Sequence, residues 1–463
     1  MNIKMAIFMK EISGDTLTPI SILQKISGKK KFLLESSHKY NDSGRYSFIG
    51  ADPAIELVSI GKENRVIKRN GQTQQISGNP LDVIDNLLPA VKLDELPFPF
   101  IGGAIGYVGY DIIRQYEVIG KEYPNSLNMP DVHLMVYEEV IVFDHLEERV
   151  FIVGIPLQDD SDSASIEMRI DKRLQELKTP NVYDEENSFS LSGFESEISK
   201  EAFIKNVEIA KEHILEGDIF QVVLSRRMKA VFEGSPLSLY RKHRANNPTP
   251  YMFYIDFEDY TVIGSSPESL IKTRGKSVIA NPIAGTKRRG QTTVEDEAIQ
   301  KELLTDEKEL AEHKMLVDLG RNDLGKVCEF GSVQVDRYMA IEKFRHVMHI
   351  VSEISGTLLS DKNALDALAA CLPAGTVSGA PKVRAMEIIN TLEKSKRGLY
   401  SGAIGYFSVN GNMDFALAIR TMILKDGKAF IQAGAGIVHD SDPESEYEET
   451  LNKLKAFLEG TLG

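Results

Sequence analysis

Apolar and polar positions divide the chain into short segments of two kinds. Short β-rich runs lie at Lys31–Leu34, Arg45–Ile49, Ala54–Ser59, Val66–Arg69, His133–Phe143 and Val150–Ile155. Turn residues such as Asn41-Asp42-Ser43-Gly44 and Asn70-Gly71 separate them, as in antiparallel hairpins. From Pro156 to about Ser199 the chain is rich in Asp, Glu and Ser, interrupted by a helix predicted over Ser165–Leu177. This stretch, 156–199, reads as a solvated acidic connector. Beyond it, Ser199-x-x-Ala202 opens a helix that ends near Gly217. Strands are predicted at Ile219–Leu224, Tyr251–Phe257, Tyr260–Ser265, Leu270–Arg274 and Ser277–Ile279. Later strands lie at Ala403–Val409, Phe415–Leu424 and Ala429–Gln432. Helices are predicted at Asp306–Leu319, Asn363–Ala370, Pro381–Leu392 and Pro443–Leu458. Runs of consecutive strands with hairpin-length gaps argue for an α+β fold with mostly antiparallel sheets. Residues 1–155 form a β-rich N-terminal region, and residues 200–463 a mixed one.

The 463 residues hold 54 Lys and Arg against 68 Asp and Glu, a net charge of −14. An acidic balance argues against a nucleic-acid partner, because phosphate binding needs basic surface. No apolar run approaches the roughly 20 residues that span a bilayer, so no membrane partner is expected. The opening MNIKMAIFMKEISGD turns acidic too soon for a secretion signal. Cys328 and Cys371 are read as buried thiols in a reducing cytoplasm. The identical pentapeptides Gly103–Tyr107 and Gly402–Tyr406 are read as strand entries where glycine allows close backbone approach.

Candidate chemistry gathers in the second half. Glu309 and Glu312 lie three apart, on one face of a helix, although Asp306-x-x-Glu309 also fits a capping box. Ser441-x-x-Glu444 fits another box, and Tyr447, Leu451, Leu454 and Leu458 form a buried stripe. Glu446, Glu449 and Lys453 then share another face, with Glu449 and Lys453 spaced as an i,i+4 ion pair. Four carboxylates from two converging helices would make an all-oxygen site suited to Mg²⁺. Ala284–Gly290 and Gln432–Gly436 are either anion nests or ordinary tight turns, with Arg420 able to pair an anion at the second. His346 and His349 are badly spaced for zinc; either is a core histidine or, beside acidic groups, a general base.

Several segments together carry a resemblance. They are Gly264–Glu268, Pro282–Thr286, Glu309–His313, Leu316–Asp323, Gly375–Lys382 and Gln432–Ile437. In this order the chain resembles the chorismate-utilising enzymes, and within them the large subunits of anthranilate synthases. The resemblance implies one large α+β fold of two stacked, mostly antiparallel sheets with helices outside and the site in a cleft. It also implies Mg²⁺ on Glu312 and Glu449, with Glu309 and Glu446 nearby. Glu268 matches the family's general acid, and His349 its base for the elimination step. Gly285 and Thr286 would line the ring pocket, Thr286 beside those catalytic groups. Tyr400, Arg420, Gly434, Ala435, Gly436 and Lys453 would hold the enolpyruvyl carboxylate. Glu35, Ser36, Pro250, Tyr251 and Met252 resemble a tryptophan feedback site.

Branches of the family differ at two positions. Isochorismate and salicylate synthases carry a water-activating Lys where this chain has Gln221, and aminodeoxychorismate synthases typically have Lys at Ala284. The resemblance therefore favours ammonia attack on chorismate, with aminodeoxychorismate or isochorismate chemistry as alternatives. No Cys nucleophile elbow with a His–Glu pair is present, so a separate glutamine amidotransferase subunit would supply the ammonia. A catalytically dead ligand-binding subunit is the remaining alternative, disfavoured because every expected acid, base and metal position is filled.

Overall fold

The computed structural model describes residues 6–37, 44–88, 96–158, 161–180, 188–343 and 347–459. The elements that carry the candidate site are, in chain order, strands β1 (Gln221–Gly234), β2 (Tyr260–Ser266), β3 (Ser269–Arg274), β4 (Ile283–Arg288), β5 (Val347–Thr357), β6 (Met413–Leu417), β7 (Thr421–Lys425) and β8 (Lys428–Ile437). Two helices complete it, α1 (Glu307–Gly325) and α2 (Pro443–Leu458).

Two 12-stranded sheets form the body of the fold. Their strand pairings are antiparallel throughout. The first sheet joins early strands such as Phe8–Ser13 and Phe32–Glu35 to β2, β7, β8 and β1. The second joins β4, β5, β3 and β6 to Gly103–Val108 and Ile55–Ile60. Each sheet thus joins one block of strands from the N-terminal part of the chain, edge to edge, to one block from the C-terminal part. A continuous apolar core fills the space between the sheets, with Phe32, Phe48, Ile105, Val142, Phe253 and Phe415 among its members. A second core lies beneath helices, where Ile22, Ile166, Leu239 and Phe457 meet strand residues such as Ile141 and Ile431. The observed architecture is the expected α+β stack of antiparallel sheets.

The stretch 156–199 does more than connect. Helix Ser163–Lys178 buries Ile166, Ile170, Arg173 and Leu177, and Phe189–Ser196 pairs with β1. Residues 159–160 of its acidic run, and 41–43 of the expected first turn, lie outside the described residues.

Two expected strands are each broken in two. His133–Phe143 divides at Glu138, and Phe415–Leu424 divides between Leu417 and Thr421. In both cases the chain passes from the second sheet to the first or back, so one apolar run serves both sheets. A third passage, between β2 and β3, contains Glu268. The two pentapeptides are direct neighbours: Gly106 pairs with Gly405 across antiparallel strands. A Cβ on Gly106 would lie 2.0 Å from the His133 carbonyl oxygen, and one on Gly405 2.1 Å from that of Asp414. Only glycine permits such approach.

Candidate active site

The β2–β3 and β6–β7 passages run side by side. Ser265 N–H donates to the Arg420 carbonyl at 3.1 Å, and Leu417 N–H to the Glu268 carbonyl at 3.0 Å. This places Glu268 and Arg420 together where the sheets exchange strands. Arg420 has φ +48°, an uncommon conformation for a side-chain-bearing residue, at the point where its strand changes sheet. No carboxylate among the described residues pairs with its guanidinium. Glu138, at the other passage, differs: its carboxylate is consumed by Arg69, Arg169 and the Leu157 and Gln158 amides.

Glu268 accepts a hydrogen bond from Thr376 Oγ1 at 2.8 Å. Burial pushes its carboxyl up to about 7, against the opposing pull of Thr376, Arg420 and Lys453. Such a group holds its proton near neutrality and can still surrender it. Thr376 lies in the Gly375–Lys382 segment, in a short 3-10 turn over Gly375–Val377, and carried no role from sequence; its neighbour Gly375 was the available signal.

Gly285 forms a bulge in β4, where the register with β5 shifts between Ala284 and Thr286. Its φ of +70° suits glycine. The Ala284–Gly290 segment therefore begins as a bulged strand, not as an anion nest or a tight turn. The bulge turns the Gly285 carbonyl toward His349, whose Nδ1 lies 3.2 Å away, and the Thr286 hydroxyl lies 3.0 Å from the same nitrogen. A carbonyl accepts only, so Nδ1 carries the hydrogen and Nε2 is the basic nitrogen. Burial lowers the His349 pKa, with the Arg420 charge acting the same way and the Gly285 carbonyl opposing. His346 lies outside the described residues.

Glu309 reaches this bulge from α1. Its Oε2 lies 3.2 Å from where a Gly285 Cβ would stand. The cap of α1 is Asp306, which accepts from the Lys308 and Glu309 amides, so Glu309 is not used in a reciprocal box. Burial, then the charges of Glu312 and Asp306, raise the Glu309 pKa. Glu312 accepts from Gln221 Nε2 at 3.3 Å. Gln221 in turn lies against β8, since a Cβ on Gly436 would be 2.7 Å from Nε2.

Helix α2 closes the rim. Its cap is Asp442, which accepts from Ser445 N–H, one residue later than the Ser441 expected. Its buried residues are Thr450, Leu454, Phe457 and Leu458, while Tyr447 lies under the Arg226 guanidinium at 4.2 Å. Lys453 pairs with Glu449 at 2.6 Å and donates to the Gly434 carbonyl at 2.9 Å. Burial and Glu449 raise the Glu446 pKa, while Lys308 of α1 and Lys453 pull it down. Glu312 and Glu449 are therefore linked around one rim through Gln221, Gly436, Gly434 and Lys453. The four glutamates are not yet gathered, however. Among the described residues the one trio with ligand atoms within 4.8 Å of one another is His213, Glu216 and Asp218. Asp218 there is already paired with Arg384.

The glycine strand is an open edge, not a nest of successive amides. Ser225 N–H donates to Glu393 and Val223 N–H to the Ser378 carbonyl, so both turn away from β8. Their partners Gly434 and Gly436 must therefore point their own amides away from β1. Strand β7 accompanies β8 only to Met422–Ile431, so among the described residues the Gly434 and Gly436 amides have no strand partner on that edge, where Lys453 reaches the Gly434 carbonyl. Ala435 faces Leu224, and its amide belongs to the ladder; it lines the site without donating. Tyr400 OH lies 2.8 Å from where a Gly434 Cβ would stand, and burial lifts the phenol to about 12.

The expected regulatory residues form a second pocket. Glu35, Ser36, Pro250, Tyr251 and Met252 all line a recess of about 600 Å³ between the sheets. Met252 pairs with Glu35 across the strands. Glu35 is held by Arg244 and by Tyr240 OH at 2.6 Å. Tyr251 OH donates to Asp414 at 3.0 Å. Asp414, Arg274, Phe48 and Tyr406 complete the walls and were not anticipated, because they come from distant strands.

Residues 30–459 match the model of the chorismate-binding enzymes. The chain belongs to that family. It is 46% identical to the anthranilate synthase component 1 of Lactococcus lactis subsp. lactis, over 97% of this chain and 98% of the relative. It is also 46% identical to that of Acetivibrio thermocellus, over 97% and 93%. The crystal structure of anthranilate synthase component I from Streptococcus pneumoniae superposes with a TM-score of 0.84 at 43% identity, covering 96% of this chain and 98% of that one. The menaquinone-specific isochorismate synthase of Escherichia coli shares the fold at 18% identity and a TM-score of 0.75, covering 99% and 95%. No helix among the described residues is long and apolar enough to cross a membrane.

Proposed function

We propose that the chain is the large subunit of an anthranilate synthase. It converts chorismate and ammonia to anthranilate, pyruvate and water, the first step of tryptophan biosynthesis. The observation that carries this reading is Glu268, a carboxyl lifted to about 7 by burial with the Arg420 charge near it, the same charge that acts on His349 of the His349–Thr286–Gly285 group. The names of the close relatives support the same reading.

The C4 hydroxyl of chorismate is a poor leaving group, and Glu268 gives it a proton so that it departs as water. Thr376 holds the other carboxyl oxygen and so aims the acidic one. Ammonia adds at C2 and needs no enzyme base, being a nucleophile already. His349 Nε2 then takes the C2 proton, the enolpyruvyl group leaves as pyruvate, and the ring becomes aromatic. Arg420, Lys453, Tyr400 and the Gly434 and Gly436 amides receive the enolpyruvyl carboxylate at the open strand edge. Gln221 and Ala284 stand where a lysine would favour the related water or lysine-dependent chemistries.

The acidic rim fits a hard divalent cation. Its donors are all oxygen, and burial, with the charge of Glu312 on Glu309 and of Glu449 on Glu446, raises the Glu309 and Glu446 pKa. Glu312 and Glu449, with Glu309 and Glu446, would hold Mg²⁺, which supplies positive charge for the ring carboxylate. The 600 Å³ recess would take tryptophan as feedback inhibitor. A separate glutamine amidotransferase subunit would deliver ammonia, and the assembly would work in the cytoplasm.

The test supplies the purified chain with chorismate, Mg²⁺ and either ammonium or glutamine. Ammonium should give fluorescent anthranilate and equimolar pyruvate, and glutamine alone neither. An aminated product that keeps its enolpyruvyl group, or isochorismate formed without ammonia, would overturn the assignment.

A further inference from the structure

We propose that the buried pair Glu393–Arg397 positions the cleft, setting at once the strand edge that receives the substrate carboxylate and the turn that aims Glu268. The proposal rests on the functional reading above and gives a role to two residues that reading does not use.

Strand β1 has a gap along one edge. Its other edge is accompanied by β8 from Val222 to Val231. On the gapped edge, Gly379–Ala380 covers only Gln221 and Val222, and Phe189–Ser196 resumes the pairing at Met228. Between Val223 and Arg226 no strand among the described residues fills that side. A buried strand edge must still find partners for its polar groups. Two side chains supply them. Arg397 Nη2 donates to the Val223 carbonyl at 2.7 Å, and Glu393 Oε1 accepts from Ser225 N–H and from Ser225 Oγ, each at 2.8 Å. The ion pair thus stands in for a strand at residues 223 and 225. Those residues lie opposite Gly436 and Gly434. With their polar groups held on the gapped side, the two glycine amides stay directed at the open edge of β8.

The same guanidinium reaches the other half of the cleft. Nη1 donates to the Val377 carbonyl at 2.7 Å, in the turn where Thr376 binds Glu268. The guanidinium also lies over the Tyr400 ring, 5.6 Å from its centre. Glu393 accepts from Nε at 2.8 Å and from Nη2 at 2.6 Å, and Ser401 Oγ lies 3.3 Å from Nη1. All five N–H groups of Arg397 are engaged. The two side chains are 1% and 7% exposed. Glu393 ends helix Lys382–Glu393, and the left-handed turn at Lys394 (φ +51°) brings Arg397 back against it. A buried ion pair contributes little net stability over apolar packing of the same volume, but a planar fork fixes direction. Here that direction ties β1, the Gly375–Val377 turn and Tyr400 into one frame. Glu393 and Arg397 are positioning residues, each acting through a group already placed in the cleft.

Arg397→Lys keeps the charge but loses the fork, so it cannot serve Glu393, Val377 and Val223 together. Glu393→Gln keeps the shape and removes the charge, and decides the matter should the first variant fail to fold. Chorismate calorimetry and rates across pH are measured well below each variant's melting temperature. Chorismate affinity should fall about tenfold or more as the binding edge loses its alignment. The alkaline limb of kcat should also move to higher pH, because the Thr376 bond lowers the Glu268 pKa and would be loosened. A lower melting temperature with parental kinetics overturns the proposal, as does a change confined to affinity or to the pH profile alone. Absence of anthranilate from the parent chain with ammonium would overturn the amination reading, and the calorimetry of the variants would still decide whether the pair holds the edge.

Discussion

Thr376 Oγ1 stands 2.8 Å from Glu268 Oε1 and binds one oxygen of a carboxyl that keeps its proton to about pH 7. The groups facing this carboxyl are Thr376, Arg420 and Lys453. The acid form is present below about 7 and is lost as pH rises through that value. His349, lowered from 6.5, is already neutral there and becomes protonated only on the acidic side. At constant free ammonia, kcat/KM for chorismate should therefore fall about tenfold per pH unit above 7 and fall again well below 6.5. A profile rising steadily to pH 9 would contradict this assignment.

The same shift has a stability consequence of opposite sign to a salt bridge. A carboxyl whose folded pKa lies above its unfolded value of about 4.5 favours the folded state at low pH, and that advantage is lost as pH rises. Glu268→Gln should melt higher than the parent at pH 8, and the gain should shrink toward pH 5. Thermal melts at several pH values measure it; a gain independent of pH would count against a raised pKa.

His349 is assigned to the elimination and not to the amination. His349→Met should lower anthranilate formation by about 10²–10⁴-fold, the range for a lost general base. An aminated product that retains the enolpyruvyl group should accumulate. Chromatography of the quenched reaction tests this, and loss of both products together would refute the division of labour.

Much of this arrangement could be read from sequence, and the reasons for the rest are physical. The i,i+3 spacings of Glu309 with Glu312 and of Glu446 with Glu449 announced two acidic helix faces. Their approach around Gln221 and Lys453 is a tertiary fact that spacing does not encode. The two broken strands were invisible because both sheets bury the same kind of residue, so an apolar run continues through the exchange at Glu138 and at Arg420. Strand β1 runs ten residues past the expected Leu224. Arg226 and Arg227 continue the strand, one lying over Tyr447 and the other paired with Glu197. Glu268 has no periodicity to betray it and was reached through the family resemblance alone.

Lys453 currently neutralises Glu449, a carboxylate assigned to the cation. Glu449 would be among the residues that hold Mg²⁺, and Lys453, no longer needed to neutralise it, would be available to the substrate carboxylate, so the two ligands should favour each other. Chorismate affinity should rise about tenfold with Mg²⁺ in the parent, and the gain should shrink several-fold in Lys453→Met. Equal chorismate affinity with and without Mg²⁺ would argue against a shared site.

The second pocket predicts a separable inhibition. Met252→Ala opens the wall of the 600 Å³ recess without touching the cleft around Glu268. The tryptophan concentration for half inhibition should rise about tenfold or more while kcat changes less than twofold. Equal loss of both would place tryptophan elsewhere.

The most direct measurement compares the parent with Glu268→Gln in chorismate, Mg²⁺ and ammonium, following anthranilate fluorescence and chorismate binding in parallel. The parent should form anthranilate, and the variant should bind chorismate with little change yet turn it over about 10²–10⁴-fold more slowly. Anthranilate formation by the variant at the parent's rate would contradict the account of this cleft.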